Sequence, residues 1–512
     1  MAATTEASRF EPRAMTRLQN ITTHVREIFT GEGRYMNADG KWIYGKPEDI
    51  KLENPIRTVR RLSLKNFLCF FVGWMAWTMD GYDFHSVSVS VSDLAKYYKR
   101  DREKIAMAIT LTLLFRSVGA IIFGLAGDLY GRKWPMIVNL ILIAVFQLCT
   151  AYCVNFSEFL VVRALFGVGM GAGIWGLATS MALENMPVEA RGLFSGILQQ
   201  GYALGYLIAA GFKMGIVPHS KHGFKILYYL GAGLTAAVAV ARLFFGESKQ
   251  FVEARKNSEI TGKIRTTMFV KDVRMILKEC WKRRNKLTIS SPGSHTSQDM
   301  YPTYMHETKG FSQIDASKAT MIAKTGAILG GTFFGYYSQY FGRRASIIVA
   351  ATLGACLIPL WILPSSWGTL TAGAFLIQFM IQGAWGIIPI HLNELSPPQF
   401  RSSFPGICYQ LGNMLASPAS QITSTISEHR IFYVDGKARP DYGWTQALMM
   451  SIIFSLLIVW TACGKEQRGS HFELAKAAGA LSDEKQDELQ SVERENDYGG
   501  AGDRNRQSWK GT

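Results

Sequence analysis

The feature that most constrains this chain is a series of long apolar stretches. A helix needs about 20 largely apolar residues to cross the hydrocarbon core of a bilayer, and only helices and closed barrels satisfy their backbone hydrogen bonds there. Eleven stretches meet this requirement, and they are too long and continuous for barrel strands. The sequence therefore predicts an all-α polytopic membrane protein. The stretches are residues 65–91, 105–127, 135–154, 158–182, 192–215, 226–246, 316–340, 345–363, 368–392, 402–426 and 443–463.

The basic residues follow the connections between these stretches. A formal charge of +16 is compatible with nucleic-acid binding, but no basic helix with interleaved aromatic residues is present. The lysines and arginines lie in the tails and short connections, as the positive-inside rule and attraction to anionic lipid headgroups predict. The basic segment 247–290 and the pairs Arg132–Lys133 and Arg343–Arg344 alternate onto one side. Membrane lipid is therefore the expected partner, and both chain ends are expected in the cytoplasm.

Polarity divides the chain into five parts. Residues 1–62 form a cytoplasmic tail, 63–246 a six-helix half, 247–290 a cytoplasmic central loop, 291–464 a second helical half, and 465–512 a cytoplasmic tail. The composition of the last tail argues for disorder. The first sixty residues lack the apolar core and cleavage site of a signal peptide. Six of the seven cysteines fall inside apolar stretches, which argues against a disulfide framework.

The two halves repeat each other. Trp175 and Trp385 are 210 positions apart, and the same spacing joins Gln200 to Gln410. A single spacing kept over so many positions indicates two parallel repeats of six helices. Repeats of this kind place a substrate near the middle of the bilayer, where the halves meet, and transport proceeds by rocking one half against the other. The spacing of 210 also joins Gly176, Glu184, Pro187, Arg191 and Gly196 to identical residues.

A loop motif occurs once in each half. The first copy resembles the signature loop between the second and third helices of the major facilitator superfamily, and its residues are Gly124, Asp128, Gly131, Arg132 and Lys133. The second copy keeps Gly342 and Arg343 but has Gln339 in place of the aspartate. We therefore expect the charge latch to be weaker in the second half.

A glycine series follows Arg163 in the fourth stretch, with glycines at every second position from Gly167 to Gly173. It resembles the fourth-helix motif of the same superfamily, where small residues let helix backbones approach closely. Arg163, Arg191 and both copies of the loop motif are predicted to hold loops and gates. They are not expected to touch a substrate.

Asp80, Asp83 and Arg116 are charged residues inside the first two stretches. A charge at membrane depth is costly, so each is a functional candidate. Asp80 and Asp83 are spaced to share one face of a helix, and Arg116 interrupts the second stretch. A guanidinium is permanently charged and binds a carboxylate through two parallel hydrogen bonds. Arg116 is thus a candidate anchor for a carboxylate substrate. The alternative is a structural ion pair with Asp80 or Asp83, and substrate could compete with that pair.

The segment 294–303 carries His295, Asp299 and Thr303 at every fourth position, with Gln298 beside them. On a helix this spacing gives one polar stripe. The segment resembles the seventh-helix motif of the fungal monocarboxylate permeases, which are lactate and pyruvate proton symporters grouped with the sialate:proton symporters. The resemblance covers roughly residues 55–465, and its other matches are Asp80-Gly-Tyr-Asp83-Phe, Arg116, Gln199-Gln200-Gly-Tyr202 and Gln410-Leu-Gly-Asn413.

This resemblance implies a proton-coupled importer of short-chain monocarboxylates such as lactate, pyruvate or acetate. It implies a monomeric functional unit in the plasma membrane that works by alternating access. A histidine titrates near neutral pH, and a buried carboxylic acid can hold a proton. The proton-coupling candidates are Asp83, His295 and Asp299. The substrate-binding candidates are Arg116, His295, Gln298, Gln410, Asn413 and Tyr202.

The start of the seventh helix departs from this pattern. Residues 281–293 are basic and polar, whereas the first half has the apolar run 67–79 at the corresponding position. Ser291 also stands where the family motif has Asn. We therefore hypothesise that Arg283–Gly293 comes from a faulty gene model or splice form, which leaves a truncated seventh helix. A transport-defective form is thus one alternative.

Other functions fit the sequence less well. A carrier of neutral solutes such as sugars would not need Arg116 in the membrane. A dicarboxylate carrier would need only one more cation or hydrogen bond in the cavity, and a sensor would normally carry an enlarged cytoplasmic domain. An enzyme is disfavoured because the nine histidines show no metal-ligand spacing, and neither a phosphate-binding loop nor a nucleophile beside a base is evident. No cofactor or metal is expected.

Overall fold

A computed structural model describes residues 17–36, 42–46, 54–171, 174–184, 186–247, 252, 300–396, 403–434 and 437–469. The segment before the first half contains α1 (Arg17–Thr30), an antiparallel hairpin of β1 (Gly33–Met36) and β2 (Trp42–Gly45), and α2 (Pro55–Arg60). In the hairpin Gly33 pairs with Gly45 and Met36 with Trp42.

The first half is a bundle of long helices. It consists of α3 (Leu64–Tyr98), α4 (Arg102–Tyr130), α5 (Lys133–Tyr152), α6 (Phe156–Gly171), α7 (Ile174–Glu184), α8 (Arg191–Gln199), α9 (Gly201–Gly215) and α10 (Ile226–Leu243). Two short 3-10 turns, Val217–His219 and Gly223–Lys225, precede α10.

The described part of the second half begins with α11 (Tyr301–Thr303), which continues into a π-helical turn, Tyr304–Thr308. It then contains α12 (Gln313–Phe341), α13 (Arg343–Cys356), α14 (Ile358–Ile362), α15 (Trp367–Leu395), α16 (Ser403–Ala416) and α17 (Ala419–Glu428). The hairpin of β3 (Ile431–Val434) and β4 (Lys437–Pro440) leads to α18 (Tyr442–Ala462).

Helix beginnings follow from capping residues in the sequence. The side chains of Ser63, Ser312, Ser366 and Asp441 each accept a hydrogen bond from the backbone N–H three residues later. Such caps satisfy one of the backbone donors that a helix leaves without an internal partner. They set the first turns of α3, α12, α15 and α18.

All eleven predicted stretches are helical in the described part of the chain. Six helical segments there are long and apolar enough to cross a membrane by length and composition, and they are Lys104–Asp128, Lys133–Tyr152, Phe156–Leu183, Gly223–Leu243, Trp367–Leu395 and Tyr442–Ala462. Each of the other five is either divided into two helices, as at Gln200, Leu357 and Ser417, or rich in polar residues, as in α3 and α12.

Glycines set the close packing within the first half. A Cβ built on Gly171 would lie inside the backbone of Arg116, and one on Gly167 would overlap Thr112. The predicted glycine series on α6 therefore lets that helix pack directly against α4. On α9, Gly205 lies in the same way against Thr78 and Tyr82 of α3.

The two halves also meet through glycines. A Cβ on Gly192 would lie 2.6 Å from the carbonyl oxygen of Gly335, and one on Gly196 would overlap Gly331. These contacts join α8 to α12 near the loops around Gly131 and Gly342, on what we call the motif side of the bundle. On the same side, a Cβ on Gly124 of α4 would lie 2.9 Å from Cα of Ser403 in α16.

The packed part of the chain extends past the predicted boundary at 464. Glu466 accepts hydrogen bonds from the backbone N–H groups of Arg343 and Arg344 at 3.3 and 3.1 Å. The side chain of Arg468 donates to the carbonyl oxygen of Gly31 at 3.3 Å. Glu466 and Arg468 therefore pack beside the second motif loop. Residues 470–512, and most of the predicted central loop 247–290, lie outside the described part of the chain.

Candidate functional site

A buried ion pair lies between the first two long helices. Arg116 of α4 is 1% exposed, and its Nη2 is 3.3 Å from Oδ2 of Asp80 in α3, which is fully buried. Of the two predicted acidic partners, Asp80 is the one that pairs. The contact is made by one nitrogen and one oxygen, and among the described residues neither Nε of Arg116 nor Oδ1 of Asp80 has a hydrogen-bond partner.

Aromatic rings surround the guanidinium. The Cζ atom of Arg116 is 5.3 Å from the ring centre of Phe84 and 5.9 Å from that of Tyr202. Tyr202 in turn stacks on Trp77 with ring centres 5.3 Å apart. A cation over aromatic faces is stabilised by their negative quadrupole, more so where water is excluded. The predicted binding residue Tyr202 thus lies beside Arg116.

The second half supplies amides to the same region. Ser117, next to Arg116, donates to the carbonyl oxygen of Gln410 at 3.2 Å. The side chain of Asn413 donates to that of Gln410 at 2.8 Å, and both residues are buried. Two predicted path-lining residues on α16 therefore lie against α4, one residue from the candidate anchor.

An aromatic cluster lies where α7 of the first half meets α15 and α16 of the second half. Trp175 of α7 stacks on Tyr409 of α16, with ring centres 4.2 Å apart and 9° between the planes. The indole N–H of Trp175 donates to the side chain of Gln199 at 2.8 Å. Trp385, the repeat partner of Trp175, also contacts Tyr409, at 5.8 Å between ring centres. The sequence repeat thus brings its two tryptophans to one tyrosine.

The break between α8 and α9 supports this cluster. At this break the carbonyl oxygen of Gln199 accepts a hydrogen bond from the indole N–H of Trp77 at 3.3 Å. Gly201 at the break lies against Thr78 and Trp77. The predicted Gln199–Tyr202 motif is therefore the point where the fifth long helix is interrupted beside α3.

Asp83 has a different environment from Asp80. Its Oδ2 accepts a hydrogen bond from Thr235 of α10 at 2.7 Å, and its carbonyl oxygen accepts one from Gln147 of α5 at 3.4 Å. Arg163 donates to the side chain of Gln147 at 3.2 Å and lies over Phe166. Asp83 and Arg163 thus belong to one buried polar cluster inside the first half. Arg163, grouped with the gating residues by sequence, does not lie at the motif loop.

The motif loops themselves have related geometry. Gly131 and Gly342 have φ angles of 94° and 100°, which side-chain-bearing residues rarely adopt. Asp128 accepts a hydrogen bond at 3.0 Å from the backbone N–H of Ser403, at the start of α16 in the other half. The oxygen of Gln339 instead accepts from Arg343 within its own half, at 2.6 Å.

The remaining gating candidates lie near the ends of their helices. Arg132 is buried, and the backbone N–H of Lys133 donates a hydrogen bond to the side chain of Glu247 at 2.9 Å. Arg191, at the start of α8, donates to the carbonyl oxygen of Met186 at 3.1 Å. These contacts are made within the first half.

A charged cluster surrounds Arg343. Its Nε and Nη2 donate to the two oxygens of Glu394 at 3.1 and 3.0 Å. Ligand atoms of His391, Glu394 and Glu466 lie within 4.8 Å of one another, which is close enough to hold a metal ion. Glu394 is already paired with Arg343, and Glu466 accepts from backbone N–H groups. The geometry is therefore that of an ion-pair network that connects α13, α15 and the residues after α18.

Three predicted site residues, His295, Gln298 and Asp299, lie outside the described part of the chain, as does the abnormal segment Arg283–Gly293. Sequence reasoning missed two others. Lys324 of α12 is 2% exposed, and His85 of α3 is buried between Tyr202 and Tyr206. The signal for Lys324 was present, because it is a charge within the predicted stretch 316–340.

The chain has two repeated helical halves that contact each other closely on the motif side. A buried cation, Arg116, lies near the interface between the halves. These features are those of a secondary transporter with the major facilitator fold. Two matches to the sugar (and other) transporter family, over residues 58–282 and 277–466, cover most of the chain. The chain belongs to this family and is a multi-pass membrane transporter, not an enzyme.

Its relatives include carboxylate transporters. A carboxylic acid transporter protein homolog of Saccharomyces cerevisiae is 33% identical over 435 residues, which are 81% of this chain and 70% of the relative. The cis,cis-muconate transport protein of Acinetobacter baylyi is 22% identical, covering 69% of this chain and 85% of that protein. The sialic acid transporter NanX of Escherichia coli is also 22% identical, covering 70% of this chain and 86% of that protein.

Solved structures have the same fold. The proton:xylose symporter XylE, bound to 6-bromo-6-deoxy-D-glucose, superposes with a TM-score of 0.60 and 16% identity, covering 80% of this chain and 98% of that one. A partially occluded inward-open structure of XylE from E. coli gives a TM-score of 0.57 at 15% identity, covering 77% of this chain and 97% of that one.

Proposed function

We propose that this chain imports short-chain monocarboxylates, such as lactate, pyruvate and acetate, together with protons by alternating access. The observation that carries the proposal is Arg116, a buried guanidinium bound to Asp80 through a single contact of 3.3 Å. A guanidinium can bind a carboxylate by two parallel hydrogen bonds. A substrate carboxylate would therefore compete with Asp80 for the donors of Arg116, and the similarity to a yeast carboxylic acid transporter homolog supports this choice of substrate.

The walls of the site suit a small organic acid. Phe84 and Trp77 offer apolar faces for a short alkyl group, while Tyr202 offers a hydroxyl for a keto or hydroxy oxygen. The amides of Gln410 and Asn413 are held together on the opposite half. A ligand held between α4 and α16 would contact both halves, which is what coupling of binding to rocking requires.

Proton coupling is proposed for Asp83, with His295 and Asp299 as further carriers. Asp83 is a fully buried carboxylate of α3, and a proton bound to it would neutralise that buried charge. Cotransport of one proton also cancels the charge of a monocarboxylate. Proton entry gains about 2.3 kcal/mol per 100 mV of membrane potential and about 1.4 kcal/mol per pH unit. These gradients would drive uptake.

We place the motif side in the cytoplasm of a plasma-membrane protein that works as a monomer. Glu27 of α1 and Glu466 both contact the second motif loop, through Arg344, so both ends of the described chain lie on that side. The basic pairs of the two loops lie there too, in agreement with the positive-inside rule.

The test is uptake of labelled lactate into cells that lack their own permease, at acid and neutral pH. The chain as written is compared with a version in which an apolar sequence replaces Arg283–Gly293. We expect faster uptake at acid pH and its collapse by a protonophore. Uptake only by the restored version would identify the written chain as a transport-defective form. Uptake by neither version would refute the monocarboxylate assignment.

A further inference from the structure

Lys324 is a second buried cation near the interface between the two halves. It lies on α12, eleven residues after Gln313 where that helix begins, and only 2% of it is exposed. Its Nζ is 4.9 Å from the ring centre of Tyr206 on α9 of the first half. A buried charge within the predicted membrane stretch 316–340 is costly, which makes Lys324 a functional candidate.

An aromatic strip connects the environment of Lys324 to that of Arg116. Tyr206 lies 5.0 Å from the ring of His85, which lies 4.7 Å from the ring of Tyr202. Tyr202 is 5.9 Å from the guanidinium of Arg116. Tyr202 and Tyr206 are one helical turn apart, about 6 Å along the axis of α9. The two cations therefore face the two ends of one strip, and they come from opposite halves.

A ligand with two anionic ends would use this arrangement fully. One carboxylate would take the donors of Arg116, and the second would take the ammonium of Lys324, while the carbon chain crosses the rings of Tyr202 and Tyr206. A short monocarboxylate would reach Arg116 alone. Because Lys324 belongs to the second half, this second contact would connect the two halves through the ligand. A ligand that binds the closed state better than the open state shifts the protein toward the closed state.

We propose that Lys324 is a second carboxylate-binding residue and that it lets this site take flexible, short dicarboxylates. The proposal rests on the proposed function, in which Arg116 binds the first carboxylate. It makes a specific prediction about selectivity, because Lys324 would contribute to dicarboxylate binding while leaving monocarboxylate binding nearly unchanged.

The experiment measures binding, which does not require a complete transport cycle. The purified full-length chain is titrated with lactate, succinate and adipate, and binding is followed by tryptophan fluorescence, since Trp77 lies beside Tyr202. Lys324→Met removes the charge and keeps the length of the side chain, and Lys324→Arg restores a cation. Lys318→Met, an exposed lysine on the same helix, is the matched control.

We expect Lys324→Met to weaken the better-bound dicarboxylate by about tenfold to a hundredfold, the effect of losing a charged hydrogen bond. Lactate affinity should stay close to that of the parent chain, which shows that the variant is folded, and Lys324→Arg should recover dicarboxylate binding. Equal loss of lactate and dicarboxylate, or loss of neither, would overturn the role of Lys324. If the parent chain binds lactate but no dicarboxylate, this inference fails and the proposed function stands. If it binds no carboxylate, both fail.

Discussion

At the scale of single residues, the chemistry of this protein depends on where a few charges are buried. Arg116, Asp80 and Lys324 lie in predicted membrane stretches, and each was detectable in the sequence as a charge among apolar residues. The sequence did not identify their partners, since the spacing of Asp80 and Asp83 along α3 allows either carboxylate to pair with Arg116. The structure gives Asp83 to Thr235 instead. Tertiary contacts made that choice because the two carboxylates point to different neighbouring helices.

The first residue-scale prediction concerns Arg116. Arg116→Lys keeps the positive charge but loses the planar fork that binds a carboxylate at two points. We expect lactate affinity to fall by about tenfold to a hundredfold, as for loss of one charged hydrogen bond. The measurement is the lactate dissociation constant, with the exposed Arg100→Lys as control. Unchanged affinity in Arg116→Lys would argue that Arg116 forms only a structural ion pair.

At the scale of secondary-structure elements, glycine positions decide how helices approach. The glycine series after Arg163 predicted close packing of the fourth helix, and in the structure Gly167 and Gly171 lie directly on α4. The contact partner is the backbone of Arg116 itself, so the position of α6 fixes the candidate anchor. The break between α8 and α9 at Gln200 was not predicted, because the stretch 192–215 contains no proline to mark it. The indole of Trp77, which takes the freed carbonyl of Gln199, lies far away in sequence.

A substitution at Gly171 tests this packing. Gly171→Ala would place a methyl group inside the backbone of Arg116, so α6 must move away from α4. We expect destabilisation on the order of 1–3 kcal/mol, as in other overpacked sites, together with weaker lactate binding. Gly211→Ala on α9 is the matched control, since nothing lies within 4 Å of its Cβ position. Thermal unfolding of the purified protein compares the two, and equal melting temperatures would contradict the packing argument.

At the scale of the whole molecule, contacts on the motif side join the two halves. Asp128 accepts from the first backbone N–H of α16, where the helix dipole favours a negative charge. Gly192 and Gly196 meet α12 on the same side. In the second copy of the loop motif, Gln339 accepts a hydrogen bond from Arg343 of the same half, so the two copies differ in this contact. The expectation of a weaker latch there remains a prediction.

Loss of the Asp128 contact should open the motif side more often. Asp128→Ala removes a charged hydrogen bond of about 1.5–3 kcal/mol, which shifts the balance between closed and open states by the same amount. Cys408 of α16 is buried, so its labelling by a polar thiol reagent in a variant without other cysteines reports opening. We expect faster labelling in Asp128→Ala than in the exposed control Asp101→Ala. Equal rates would show that the glycine contacts alone close this side.

The sequence by itself determined the helical membrane architecture, the two repeated halves and most of the polar residues placed near their interface. It could do so because burial in hydrocarbon demands long apolar helices, makes each intramembrane charge conspicuous and leaves repeats visible. Only the tertiary structure decided that Arg116 pairs with Asp80, that Trp175 and Trp385 meet at Tyr409, and that Lys324 faces Tyr206 across the halves. Those contacts join residues distant in sequence, and they depend on how helices of similar apolar character are rotated against one another, which local composition does not encode.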